Sequence, residues 1–191
     1  MGNPGPEYEG TRHNAGAEAV SLLARRLGER LRGWRGPAWV ARVEHSGRQL
    51  VLARPKTFMN ESGIAGARLL RQLGLGLEAV VVVHDELDLE VGRLRLRGGG
   101  GTAGHNGLRS LQAHWRSQDF ARVRIGVGRP PPGVDPIDYV LGRPRGGEAE
   151  TFERALERAA DAVVAIAEQG LEAAMTEFNR WPEPEEAGAP G

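Results

Sequence analysis

The sequence predicts an α/β fold: one domain on a twisted, mixed and mostly parallel sheet flanked by helices. Three observations predict it. The run "AVVVVHDELDL" (79–89) holds four consecutive Val without polar alternation, as a strand buried on both faces requires. Apolar stripes at helical spacing recur along the chain. Helical and extended segments alternate, the order that builds a sheet covered by helices. At 191 residues the chain suits a single compact domain.

Taken in order, residues 1–14 read as loop. A helix follows, with Val20, Leu23, Ala24, Leu27 and Leu31 on one face. "AWVARVEHSGRQLVLARP" (38–55) is a hairpin around a Ser-Gly turn. "TFMNESGIAGARLLRQLGL" (57–75) is a short loop and a helix with a stripe through Ile64, Ala67, Leu70 and Leu73. After the Val strand, "GRLRLR" (92–97) alternates strictly, with Arg93, Arg95 and Arg97 on one face and Leu94 and Leu96 on the other. Gly98–Gly101 break the strand into a loop. "HNGLRSLQAHW" (105–115) is a helix opened by Asn106, "ARVRIGVG" (121–128) a strand, and "RPPPGVDP" (129–136) a linker or gate. "ETFERALERAADAVVAIAEQ" (150–169) is amphipathic, striped by Phe152, Leu156, Ala159, Val163 and Ile166. The domain is expected to end at residue 180, with 181–191 a disordered tail.

Composition narrows the function classes. No apolar run is long enough to cross a bilayer, and no signal peptide is evident. The absence of Cys rules out a disulfide frame, a thiolate metal site and a Cys nucleophile, and is compatible with a reducing cytosol. Net charge is zero, which argues against indiscriminate nucleic-acid binding by the whole surface. The distribution is uneven: residues 93–129 carry eight Arg against one acid, Asp119. Arg offers a planar fork that suits phosphate oxygens.

The polar residues gather at element ends. His13-Asn14 precedes the first helix and His105-Asn106 a later one; either Asn serves equally well as a helix cap. Phe58, Met59 and Asn60 set an apolar pair and an amide before another helix. His84, Asp85, Glu86 and Asp88 fall where the Val strand ends, the place where open α/β sheets bind ligands. Asp85, nearest the strand, is the expected site carboxylate, whereas Glu86 and Asp88 read as loop-solvated acids. "GGGGTAGHNG" lacks the Gly-Lys-Ser/Thr of a P-loop. There is no nucleophile elbow and no His-Glu-x-x-His. What remains is neutral hydrolysis by a His base held by an Asp, with amides for polar substrate groups. Two other readings stay open from the residues. One is a non-catalytic module that binds tRNA or structured RNA through the Arg strand and glycine loop. The other is a metal-dependent hydrolase using His13, His84, Asp85 and His105, for which no local ligand spacing argues.

Taken together, "GNPGPEYEGTRHNAG" (2–16), "PKTFMNESG" (55–63), "VVHDELDLEVGRLRLRGGG" (82–100), "AGHNGLRS" (103–110), "RVRIGVGRP" (122–130), "DYVLGRP" (138–144) and "MTEFNR" (175–180) resemble, in order, the motifs of bacterial-type peptidyl-tRNA hydrolase. The resemblance implies hydrolysis of the ester between a peptide and the terminal ribose of tRNA, releasing tRNA for reuse. It implies no organic cofactor, no metal, a monomer and a cytoplasmic location. Residue by residue it implies His13 as catalytic base and Asp85 as the carboxylate that orients it. Asn3, Asn60 and Asn106 become substrate-binding amides and His105 a further substrate-site residue. Tyr8, Phe58 and Met59 line the cleft, and Arg97 and Arg124 grip the tRNA 5′-phosphate. Residues 129–141 resemble a gate and 152–167 a lid. One departure stands out: the family opens with an apolar strand before Gly-Asn-Pro-Gly, whereas here Met1 immediately precedes Gly2. The first central strand is therefore expected to be missing, with either the chain truncated at its N-terminus or another segment in the strand's place; its absence leaves an apolar groove open beside the neighbouring strand and Asn3 without its anchor.

Overall fold

The periodic segment after residue 14 folds as α1 (Ala15–Arg26) in the computed structural model, which describes residues 1–180. The expected tail at 181–191 lies outside the described residues. Leu31 falls beyond the helix, just before a short strand, β1 (Arg32–Gly33). The hairpin is β2 (Ala38–His45) and β3 (Arg48–Pro55), and β1 adds antiparallel to β2. His45 pairs with Arg48 across a two-residue turn in which Ser46 and Gly47 both have positive φ, 50° and 71°. That backbone matches the twist of the flanking strands.

The second helix, α2 (Ser62–Leu73), turns a different face inward from the one its stripe indicated. Ile64 is 46% exposed, while Ser62, Gly63 and Ala65 are buried. The reason is close packing on α3 (Asn106–Trp115): the Gly63 N–H donates to Ser110 Oγ at 2.9 Å.

The Val run is β4 (Val81–Glu86), followed by β5 (Leu94–Gly98) and β6 (Ala121–Gly126). They form a second sheet in the order β4-β6-β5, with β4 parallel and β5 antiparallel to β6. Among the described residues parallel pairing is thus confined to one strand pair, and they form two three-stranded sheets in place of one continuous sheet. β4 is buried on both faces, as its unbroken Val run requires. Val83 packs with Leu96, Val123 and Ile125 beneath α1 and α5 (Gly147–Gln169), while Val82 packs with Met59, Leu108, Leu111 and Phe120 on the α3 side. α1 joins the sheets, because Ala15 and Ala19 belong to one core cluster and Leu23 and Ala24 to the cluster of the hairpin.

Between the sheets runs the expected apolar groove, lined by residues that include Ala38, Ala53, Leu70, Val81, Val83 and Trp115. At its end the Met1 nitrogen donates to the Val83 carbonyl at 2.7 Å and the Met1 carbonyl accepts from Ala17 N–H at 2.8 Å. Gly16 makes this approach possible, since a methyl group there would stand 2.0 Å from the Val83 oxygen. The start of α1 is thereby pressed onto β4 two residues before Asp85.

The linker leads into α4 (Pro136–Leu141), capped by the Asp135 carboxylate, which accepts from Ile137 N–H at 2.7 Å. α5 is a core helix and not a lid: Phe152, Ala155, Ala159 and Ala162 are buried against the second sheet. The late motif "MTEFNR" has a structural task. Asn179, just after α6 (Leu171–Phe178), accepts from the Leu96 N–H at 2.6 Å and donates to the Leu96 carbonyl at 3.1 Å, satisfying the outer edge of β5.

Candidate active site

The carboxyl end of β4 delivers Asp85, only 3% exposed. The helical turn Arg12–Asn14 before α1 delivers His13, and the N-terminus of α3 delivers His105. His13 Nδ1 lies 3.1 and 3.0 Å from the two Asp85 oxygens, and His105 Nε2 lies 2.9 Å from Oδ1. Burial alone would raise the Asp85 pKa; the charges and hydrogen bonds of His105 and His13 outweigh it and hold the carboxyl well below the usual range. An ionised carboxylate only accepts, so each ring donates to it.

This fixes both tautomers. His105 Nδ1 accepts from the main-chain N–H groups of Gly107 and Leu108, at 3.1 and 3.4 Å, so its proton sits on Nε2. His13 is protonated on Nδ1, which leaves Nε2 as its only basic nitrogen. Asp85 therefore orients one imidazole while the second imidazole orients Asp85. His105 was expected to meet substrate, but both its nitrogens are engaged within the protein, and it caps α3 in the role expected of Asn106.

The loops that carry these groups are tied together. Asn14 does not cap α1; its side chain accepts from Asn3 N–H at 2.8 Å and donates to the Asn3 carbonyl at 3.0 Å. Asn3 in turn accepts the Met59 N–H on Oδ1 at 2.7 Å. So Asn3 is anchored by the Asn14 side chain and the Met59 main chain. Arg12 stacks on Tyr139, 4.3 Å from the ring centre, and pairs with Glu148 at 2.7 Å, fastening the His13 turn to α4 and α5.

Of the expected site residues, Asn3, His13, Phe58, Met59, Asn60, Asp85, His105 and Asn106 line one cavity of about 700 Å³. Tyr8 is not among its walls, though its ring meets Phe58 edge-on at 6.3 Å. Leu87, together with the α4 residues Ile137, Val140 and Leu141 from the segment read as a gate, completes an apolar wall. Arg97 and Arg124 lie in a second cavity, with Arg122, Glu86 and the backbone of Gly99–Gly101.

Glu86 departs from the sequence reading, and Arg122 was not singled out by it. Glu86 is not a solvated acid but 6% exposed, accepting from Arg124 Nε and Nη2 on Oε2 at 3.0 and 2.8 Å. Arg122 is buried and donates to the main-chain oxygens of Gly100, Gly101 and Gln118. The parity of "ARVRIG" put Arg122 and Arg124 on one face, a signal that could have singled out Arg122. Only the pairing of Arg97 with Arg122 and of Arg95 with Arg124 brings the arginines of the two strands together, and three of them, Arg97, Arg122 and Arg124, line this cavity. Like charges opposite one another are unfavourable, and Glu86 with the loop carbonyls offsets them. Asp88, by contrast, stays at the surface, paired with Arg129 at 2.6 Å.

His13, Asp85 and His105 place potential metal-ligand atoms within 4.8 Å of one another, a set invisible to sequence spacing. His105 suits a metal poorly, because ligation through Nε2 would move its proton to Nδ1, against two N–H donors. His84 does not join the set; its Nδ1–H donates to the Asp85 main-chain carbonyl at 2.7 Å, and Nε2 is buried without a hydrogen-bond partner.

Burial, followed by the neighbouring His105, pushes the His84 pKa well below 6.5. The unfolded chain then takes up a proton that the folded chain refuses, so stability falls as pH drops below about 6.5 toward the folded value. Unfolding by urea is expected to show wild type losing about 1.4 kcal/mol per pH unit relative to His84→Asn in that window. Parallel pH profiles for the two proteins would remove His84 as the cause.

The sequence profile of the family described as peptidyl-tRNA hydrolase matches residues 1–186. The peptidyl-tRNA hydrolase of Cutibacterium acnes is 47% identical over 190 residues, covering 94% of this chain and 95% of its own. That of Mycolicibacterium vanbaalenii is 44% identical over 182 residues, covering 95% of each. The crystal structure of peptidyl-tRNA hydrolase from Acinetobacter baumannii superposes with a TM-score of 0.88 at 35% identity, covering 93% of this chain and 91% of that one.

Proposed function

The chain belongs to the peptidyl-tRNA hydrolase family, and on that premise we propose that His13, oriented by Asp85, is the general base of the reaction. The reaction is hydrolysis of the ester between peptide and tRNA, and the chain is an enzyme. The observation that carries the assignment is the buried Asp85 carboxylate accepting from His13 Nδ1 at 3.0 Å. His13 Nε2 takes a proton from water as the water oxygen attacks the ester carbonyl. Asp85 stabilises the imidazolium that forms. The tetrahedral intermediate collapses, the ribose oxygen leaves, and the proton held by His13 passes to it.

Asn60 and Asn106, exposed at the cavity rim, hold the peptide main chain, and the Asn3 amide nitrogen stabilises the developing oxyanion. Main-chain recognition leaves the peptide sequence unread, which suits nascent chains of every kind. Phe58 and Met59, with Tyr8 behind Phe58, supply the apolar floor. Because the substrate is made on ribosomes, we place the enzyme in the cytoplasm, acting as a monomer.

The test is release of peptide from a defined peptidyl-tRNA in excess chelator. Binding of tRNA without ester cleavage would favour the non-catalytic RNA-binding module, and loss of turnover on chelation would restore the metal reading.

The second cavity is the tRNA grip. Arg97→Ala and Arg124→Ala are each expected to weaken tRNA binding and lower the slope of log K against log salt by about 1. A small ester without tRNA is expected to turn over unchanged. Arg124→Ala also leaves Glu86 buried without its cation, so it melts earlier than Arg97→Ala. Equal loss on the small ester would place these residues in the chemistry and not in the grip.

A further inference from the structure

The three guanidiniums of the second cavity are not equivalent. Arg122 is held by loop carbonyls and pins the backbone at Gly100 and Gly101. Arg97 lies against Gly100 and has no hydrogen-bond or ion-pair partner among the described residues. Arg124 alone is held by an acid, both its Nε and Nη2 donating to Glu86 Oε2. Glu86 is itself fixed, since Oε1 accepts from Asp88 N–H at 3.2 Å, and it forms part of the wall of both cavities.

With Arg97, Arg122 and Arg124 against Glu86, the cavity has two positive charges unbalanced. A phosphate monoester brings nearly two negative charges at neutral pH, an internal phosphodiester only one. Glu86 holds the Nε–Nη2 edge of Arg124, so an incoming anion must either displace that carboxylate, leaving it buried without its cation, or bind at Nη1 against its negative charge. A dianion held by Arg97 and Arg124 together makes up for this; a single charge does so poorly.

We propose that Glu86 is a specificity-determining residue: it occupies Arg124 while the cavity is empty, so that the site admits a terminal phosphate monoester and turns away the phosphodiesters along the rest of the tRNA. The proposal rests on the reading of Arg97 and Arg124 as the phosphate grip.

The experiment measures binding of uncharged tRNA carrying either a 5′-phosphate or, after phosphatase treatment, a 5′-hydroxyl. Wild type is expected to prefer the 5′-phosphate. In Glu86→Gln, 5′-hydroxyl tRNA should bind more tightly, and the preference should shrink by about threefold to tenfold, the worth of exchanging one charge-assisted hydrogen bond. In an Arg124→Gln background the same change should do nothing, because its effect runs through Arg124. Glu86→Asp, which keeps the charge but draws it back from Arg124, should shift the preference in the same direction and serves if Glu86→Gln does not fold. An undiminished preference in both Glu86 variants overturns the proposal, as does weaker binding of 5′-phosphate tRNA, which would mean that Glu86 aims the guanidinium. If wild type itself shows no preference, the phosphate grip fails and this inference with it.

Discussion

His13→Ala is expected to lower kcat for peptidyl-tRNA by about 10³- to 10⁴-fold, the upper range for loss of a positioned general base, with tRNA affinity unchanged. The size follows from the wiring around the ring. Its Nδ1 proton is committed to Asp85, so the opposite nitrogen is a pre-aimed base in a wall of the larger cavity. The neighbouring imidazole, 4.9 Å away between ring centres, cannot substitute, because both nitrogens of His105 are engaged by Asp85 and by the start of α3. tRNA affinity survives because the arginines line the other cavity. Single-turnover hydrolysis with added imidazole separates chemistry from folding: partial rescue is expected, and a variant that retains substantial hydrolysis without imidazole would remove His13 as the base.

Asp85→Asn is expected to be nearly as damaging, by about 10³- to 10⁴-fold in kcat, although the side chains have the same shape. The carboxylate accepts from two rings, whereas an amide has one accepting oxygen and one donating nitrogen. His105 cannot change tautomer without turning a proton toward the Gly107 and Leu108 N–H groups, so it claims the amide oxygen. The amide nitrogen then faces His13 Nδ1 and forces the proton onto Nε2, the nitrogen that has to act as base. Adding His105→Ala to Asp85→Asn frees the amide to turn its oxygen toward His13, so the double variant should recover about tenfold over Asp85→Asn alone, a coupling expected only between residues in direct contact. Additive losses in the double variant would show that Asp85 does not act through the His13 tautomer.

Much of this architecture is legible without coordinates. The unbroken Val run marked β4 as doubly buried, and Leu94 and Leu96 declared the inner face of β5. The Ser-Gly pair fixed the hairpin turn. The motifs around His13, Asp85, Asn60 and His105 located the larger cavity. Asn179 was legible only as part of a motif, since its partner, Leu96, is remote in the sequence. Ile64 misled because a helical stripe shows that a face is apolar but not which neighbour covers it. Here the glycine face of α2 fits closer to α3 than any stripe of larger residues could.

The sequence by itself determined most of the elements, the α/β class, the family and most of the residues that meet in the larger cavity. These depend on periodicity, turn chemistry and motif order, all encoded over a few neighbouring positions. Only the tertiary structure decided which polar atoms are engaged: His105 with Asp85, Glu86 with Arg124, Arg122 with the glycine loop, Asn14 with Asn3. A side chain's charge and proton depend on burial and on atoms about 3 Å away that belong to distant parts of the chain, and folding, not local sequence, brings them together.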